Sequence, residues 1–127
     1  MYVYYNPNPD TELNASDCVV RALSKAFDMS WNEAYMLLSI QGYIEHDIFA
    51  TDRVWISLLH DLGYQRYMIP NTCPLCYTIG QFTKDHPTGT YILGTGKHAV
   101  CVQDGCIYDS WNSSGEIPLF YVEIKER

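Results

Sequence analysis

The chain is short of positive charge. Of 127 residues only eight are Lys or Arg, against fifteen Asp and Glu, for a net charge of −7. A sequence-independent nucleic-acid binder needs a basic face, so no nucleic-acid partner is expected. Long apolar runs are missing too, which leaves no segment able to span a bilayer and no membrane partner. The opening residues, Met1-Tyr2-Val3-Tyr4-Tyr5-Asn6-Pro7, hold neither a basic region nor an apolar stretch with a small-residue cleavage site, so a cytoplasmic protein is expected. No repeat, low-complexity tract or long linker divides the chain, and its length suits a single domain over residues 1–127. No motif sets an oligomeric state.

Apolar residues make up 47% and charged residues 18%, enough to build a core and too little charge for a disordered tail. Residues 1–15 read as an irregular arm, because Pro7 and Pro9 oppose helix and sheet alike. Val19, Val20, Leu23, Ala26 and Phe27 recur at helical spacing and predict a helix from about Asp17, with Ser16 as its N-cap. Ser30 and Glu33 match a capping box that opens a second helix, with Gly42 as its stop. A third helix is expected from about Thr51, its buried stripe formed by Val54, Trp55, Leu58, Leu59 and Leu62 and its end marked by Gly63. Residues 64–69 then suggest a strand, a short helix falls near 79–82, and β-rich runs cover 90–93, 99–103, 106–110 and 119–124. Helices followed by an antiparallel sheet make an α+β fold.

The chemistry gathers in three segments. Asp17-Cys18-Val19-Val20-Arg21 sets a cysteine in the first turn of a helix, where unpaired amides and the helix dipole lower a thiol's pKa and can hold an oxyanion. Asp17 opposes this unless its carboxylate points away. Gly96-Lys97-His98-Ala99-Val100 and Tyr108-Asp109-Ser110-Trp111-Asn112 flank the second and third segments' strands, joined by Asp104-Gly105, a strong two-residue hairpin signal. With that turn, Val102 faces Ile107 and Val100 faces Asp109, so His98, Val100, Val102, Ile107, Asp109 and Trp111 share one face. His98 and Asp109 become diagonal neighbours, and a carboxylate that orients an imidazole is what a thiol–imidazole catalyst needs.

This set of residues resembles the papain-like cysteine peptidases, which carry a cysteine at a helix start, a His-Ala pair and an Asn-Ser-Trp segment in that order. Here Asp109 stands where the family has its Asn. The Asp17-Cys18 start is similar to bacteriocin-processing peptidases. The Asn-Pro arm, the Asp-Cys-x-x-Arg-Ala run and Gly89-Thr90-Tyr91-Ile92-Leu93 are similar to small papain-like proteins of phages and bacteria. The resemblance spans roughly residues 6 to 113, and its diagnostic motifs cover about twenty positions. It implies a papain-like domain with an active cleft between the first helix and the sheet. It also implies a cysteine hydrolase (a thiol protease, amidase or isopeptidase) acting on amide bonds of a peptide or protein substrate, with the catalytic triad Cys18, His98 and Asp109 and no cofactor. In two respects the sequence departs from the family. Val19 and Val20 follow the cysteine where a small residue is usual, and no Gln precedes Cys18 to complete an oxyanion hole. Asn6, Asn8 and Asn14 are the upstream side-chain amides, and Asn14 is the oxyanion candidate. The missing Gln supports an alternative, a catalytically inactive papain-like binding module such as a phage protein engaging a host factor.

Plainer readings stand beside these. Cysteines are often small buried residues, His98 can be a strand-edge histidine bonded to backbone, and Trp111 serves as core or as a cleft-lining lid over the His98–Asp109 pair. Five cysteines without an export signal are expected to be reduced thiols. Cys73-Pro74-Leu75-Cys76 has the spacing of a metal knuckle, and with Cys101 and Cys106 it admits a four-cysteine zinc site; no metal is the default, core thiols the plainer account. His46, His60 and His86 show no metal-pairing spacing.

Overall fold

The computed structural model describes residues 1–10 and 15–125. Among these residues the fold is α+β, with four helices and a six-stranded mixed sheet. Helix α1 is Cys18–Phe27, α2 Trp31–Glu45, α3 Asp52–Asp61 and α4 Ile79–Asp85. The strands are β1 (Tyr2–Tyr4), β2 (Arg66–Met68), β3 (Thr90–Gly94), β4 (Ala99–Gln103), β5 (Cys106–Asp109) and β6 (Phe120–Ile124), in the order β1-β5-β4-β3-β6-β2. No described helix is long and apolar enough to cross a membrane.

The arm is not irregular throughout. Tyr2–Tyr4 pairs in parallel with β5, setting Tyr2 against Ile107 and Tyr4 against Asp109. The β-prone run Tyr-Val-Tyr-Tyr precedes the two prolines, so they do not prevent it from joining an edge. This pair makes the sheet mixed, not purely antiparallel. The central hairpin has the expected register, with Val102 opposite Ile107 and Gln103 opposite Cys106. Asp104 and Gly105 both have positive φ, 50° and 76°, as a tight turn of this handedness requires.

Two apolar clusters cover the two faces of the sheet. Val19, Val20, Ala22 and Leu23 of α1 join Ala34, Leu38, Trp55 and Leu59 of α2 and α3 against Ile92, Ala99, Cys101, Phe120 and Val122. Ile79 and Phe82 of α4 cover Tyr91, Leu93, Val100, Val102 and Ile107 on the other face. Period-two alternation along β4 therefore divides Ala99 and Cys101 from Val100 and Val102. The small side chains Ala99 and Cys101 lie under α1 and let the helix approach closely.

Helix α2 shows where the sequence reading went astray. Its capping box is as expected: Ser30 Oγ accepts from the Glu33 amide at 3.1 Å and Glu33 accepts from the Ser30 amide at 3.1 Å. It does not stop at Gly42, however. It runs to Glu45 and ends on His46 in the left-handed conformation. Gly42 is there for space: a Cβ would lie 2.8 Å from the Asp47 carbonyl oxygen and 3.1 Å from the Phe49 Cα. Helix propensity alone favours Gly42→Ala by about 1 kcal/mol. The backbone clash reverses that sign, and a net loss of about 1–3 kcal/mol is expected. Urea denaturation checks this, and a more stable Gly42→Ala protein would contradict the close approach.

Candidate active site

Cys18 is the first residue of α1, and its N-cap is Asp17, not Ser16. The Asp17 side chain does not cap the helix. It accepts instead from Asn8 Nδ2 at 3.3 Å and Trp31 Nε1 at 2.9 Å, and it forms a buried ion pair with Arg21. The carboxylate that would have raised the thiol pKa is thus turned away and neutralised. The Asp17 side chain leaves the first-turn amides beside Cys18 without a cap from it.

His98 is delivered by the β3–β4 turn. Thr95 N–H donates to the His98 carbonyl at 2.9 Å, and Gly96 sits at φ 90°, a conformation that favours glycine. Antiparallel pairing brings the start of β4 and the end of β5 to one end of the sheet. There His98 Nε2 meets Asp109 Oδ2 at 2.6 Å. The Cys18 thiol lies within hydrogen-bonding reach of the same ring and of the Ala99 amide. Cys18, His98 and Asp109 are therefore brought together. Helix α1 covers the Ala99–Cys101 face, whereas Asp109 lies on the Val100–Ile107 face, so the three groups close around the sheet's end. Trp111 is 44% exposed with its ring 4.9 Å from that of His98, so it lines the site and is not core.

Asp109 is 2% exposed, and its carboxylate is fully surrounded by donors. Besides His98 it accepts from Ser113 Oγ at 2.7 Å, the Ser110 amide at 2.8 Å and Arg21 Nη2 at 3.1 Å. Its backbone is held by β1: Tyr5 N–H donates to the Asp109 carbonyl at 2.8 Å and the Tyr2 hydroxyl at 3.2 Å. The sequence reading quoted Arg21 without a role, named Asn8 only as an upstream side-chain amide, and missed Ser113 and Trp31. No local pattern marks Arg21 as a partner of Asp109, since the two are 88 residues apart.

Burial opposes charge on each group, and the site overcomes it. Desolvation raises the Cys18 thiol, but the His98 hydrogen bond, the Ala99 amide and the nearby His98 and Arg21 charges bring it below its ordinary value. Desolvation would lower His98, yet bonds to Asp109 and Cys18 raise it to about 9. Asp109 is held below the usual carboxylate range, because bonds from His98 and Ser113 outweigh its burial. These shifts favour a thiolate beside an imidazolium. Cys101 shows the contrast: fully buried under α1 with no such partner, its thiol is pushed up to about 12 by desolvation.

The four remaining cysteines do not form a zinc site. Cys73 and Cys76 are bonded to each other as a disulfide, which also corrects the expectation of reduced thiols throughout. Cys101 is a core thiol, and Cys106 is a partly exposed one opposite Gln103. Among the described residues no group of three or more His, Cys, Asp or Glu could hold a metal ion. Asn14 lies outside the described residues. Asn8 has its side-chain amide on Asp17, and Asn6 Oδ1 accepts from the Asn8 amide at 3.2 Å.

Removing Asp109 strands Arg21 and Ser113 in a buried setting. Asp109→Ala is expected to lower stability by about 3–5 kcal/mol in urea denaturation, as for one partner of a buried ion pair. A loss under about 1 kcal/mol would mean the network is not formed.

Comparison with known proteins returned no match: no protein-family model, no curated protein and no solved structure resembles the chain.

Proposed function

We propose that the protein is a papain-like cysteine hydrolase that cleaves, or transfers the acyl group of, amide or isopeptide bonds in a peptide or protein. The observation that carries this reading is a single imidazole held between an acidic thiol and a buried carboxylate: His98 Nε2 is 2.6 Å from Asp109, and the Cys18 thiol is on the same ring. Cys18 Sγ attacks the carbonyl carbon. The thiol proton resides on His98, and the carbonyl oxygen becomes an oxyanion facing the first-turn amides of α1, which the Asp17 side chain does not cap. As the C–N bond breaks, His98 gives its proton to the leaving amine, and a thioester on Cys18 remains. Water, with His98 as base, hydrolyses the thioester; an amine in its place gives acyl transfer. Asp109 orients the ring and stabilises the imidazolium.

A second reading, an inactive binding module on the same scaffold, has one observation in its favour. Asn8, one of three side-chain amides upstream of Cys18, is committed to Asp17 and not to an oxyanion. Losing such a donor typically costs on the order of 10²–10³ in rate. Hydrolysis of a peptide-amide library by wild-type protein, absent in Cys18→Ala, supports the enzyme. Fast Cys18 labelling without turnover supports the module.

Two outcomes test the ion pair. Cys18 is expected to be the fastest thiol toward iodoacetamide, with labelling that persists well below pH 8 and that His98→Ala removes. A labelling rate unaffected by His98→Ala counts against the pair. His98 is expected to titrate near pH 9 by nitrogen-15 NMR, not near 6.5. Because its folded pKa is the higher one, the stability it contributes is complete below about pH 6.5 and is lost as pH rises through about 9. General-acid catalysis falls over the same upper range. A midpoint near 6.5 would remove the imidazolium from the proposal.

A further inference from the structure

We propose that Arg21 is a positioning residue for this site: its guanidinium, clamped between the carboxylates of Asp17 and Asp109, fixes the orientation in which Asp109 holds His98 toward Cys18. The inference rests on the hydrolase reading above.

The geometry divides the Asp109 carboxylate between two tasks. Oδ2 faces His98 and Ser113, and Oδ1 accepts from Arg21 Nη2 and the Ser110 amide. The terminal torsion of an aspartate is intrinsically broad, so donors and not rotamer preference decide where its oxygens point. The Ser110 amide alone would leave Oδ1 free to swing. Arg21 supplies a second, charged donor from a different element. The guanidinium is itself fixed, because its other terminal nitrogen is paired with Asp17, four residues earlier on the same helix start. Asp17 in turn is tied to Asn8 and Trp31. Arg21 is 7% exposed, and its Nε is buried without a partner among the described residues. That is a costly place for a guanidinium. A planar fork that reaches two carboxylates at once is the feature of arginine that a lysine lacks.

The same residue bears on the sulfur. Arg21 lies one turn along α1 from Cys18 and adds a positive charge that favours the thiolate. The groups facing the site are Asp17, Cys18 and Arg21 from α1, His98 from the turn before β4, Asp109 from β5, and the Tyr2 hydroxyl from β1 on the Asp109 carbonyl. Replacing Arg21 by a neutral residue removes a cation and loosens the imidazolium's partner, and both changes make the thiol harder to ionise.

The test is the pH dependence of Cys18 alkylation by iodoacetamide in the full chain, with circular dichroism to establish folding. Arg21→Gln is expected to move the acid limb of the profile upward by about one pH unit, a tenfold loss of thiolate at a given low pH. Arg21→Lys, which keeps the charge but not the fork, is expected to move it upward by less. A merely structural Arg21 would lower the melting temperature and leave the limb in place. If Arg21→Gln does not fold, Arg21→Lys carries the test. An unmoved limb in the folded Arg21 variants overturns the inference alone, provided wild type keeps a low limb that His98→Ala abolishes. A wild-type limb near 8.5 that ignores His98→Ala overturns the hydrolase reading and this inference with it.

Discussion

A carboxylate taken out of water must be matched donor by donor, and Asp109 meets that demand with four donors from three different stretches of chain. His98, Ser113, the Ser110 amide and Arg21 all converge on its two oxygens. The strand β1 then fastens its backbone. Each partner is itself placed by a separate element: Arg21 by α1, His98 by the β3–β4 turn, Ser113 by the segment after β5. Satisfying one buried anion therefore draws together the helix start, two strand ends and the N-terminal arm. The proposed chemistry depends on this convergence, since the imidazole can hold its proton only while that anion stays ionised and in place.

The two best-defined thiols in the molecule show how far environment outweighs residue type. Cys18 and Cys101 belong to the same apolar cluster, one at its margin and one at its centre. Burial raises both. At Cys18 an imidazole, a backbone amide and a guanidinium more than compensate; at Cys101 only a distant Lys25 charge opposes the desolvation. A cysteine's presence in a sequence therefore says little about its reactivity, whereas its place relative to a helix start and a base says much.

The legible parts of this protein were those set by neighbours in sequence. The capping box at Ser30 and Glu33 spans one turn, and the hairpin at Asp104-Gly105 fixes its own register, so the face shared by His98 and Asp109 could be worked out residue by residue. Errors came where a distant partner overrode the local signal. Gly42 resembles a helix stop but sits mid-helix because the chain returns over it at Asp47 and Phe49. Pro7 and Pro9 marked the arm as irregular, while its first residues join β5, more than 100 residues away in sequence. Asp17 was weighed as a neighbouring negative charge, and the ion pair with Arg21 cancels that concern.

Taken alone, the amino-acid sequence determined the order of elements after the N-terminal arm, the hairpin register and the candidate trio of sulfur, imidazole and carboxylate, because helix periodicity, turn chemistry and strand alternation act over a few residues. Tertiary structure alone decided that α1 covers the opposite sheet face from Asp109, that the trio closes around the end of the sheet, and that Arg21 links two buried carboxylates. Those outcomes follow from matching buried charges and close-packed surfaces across long separations, and no short stretch of sequence contains both sides of such a match.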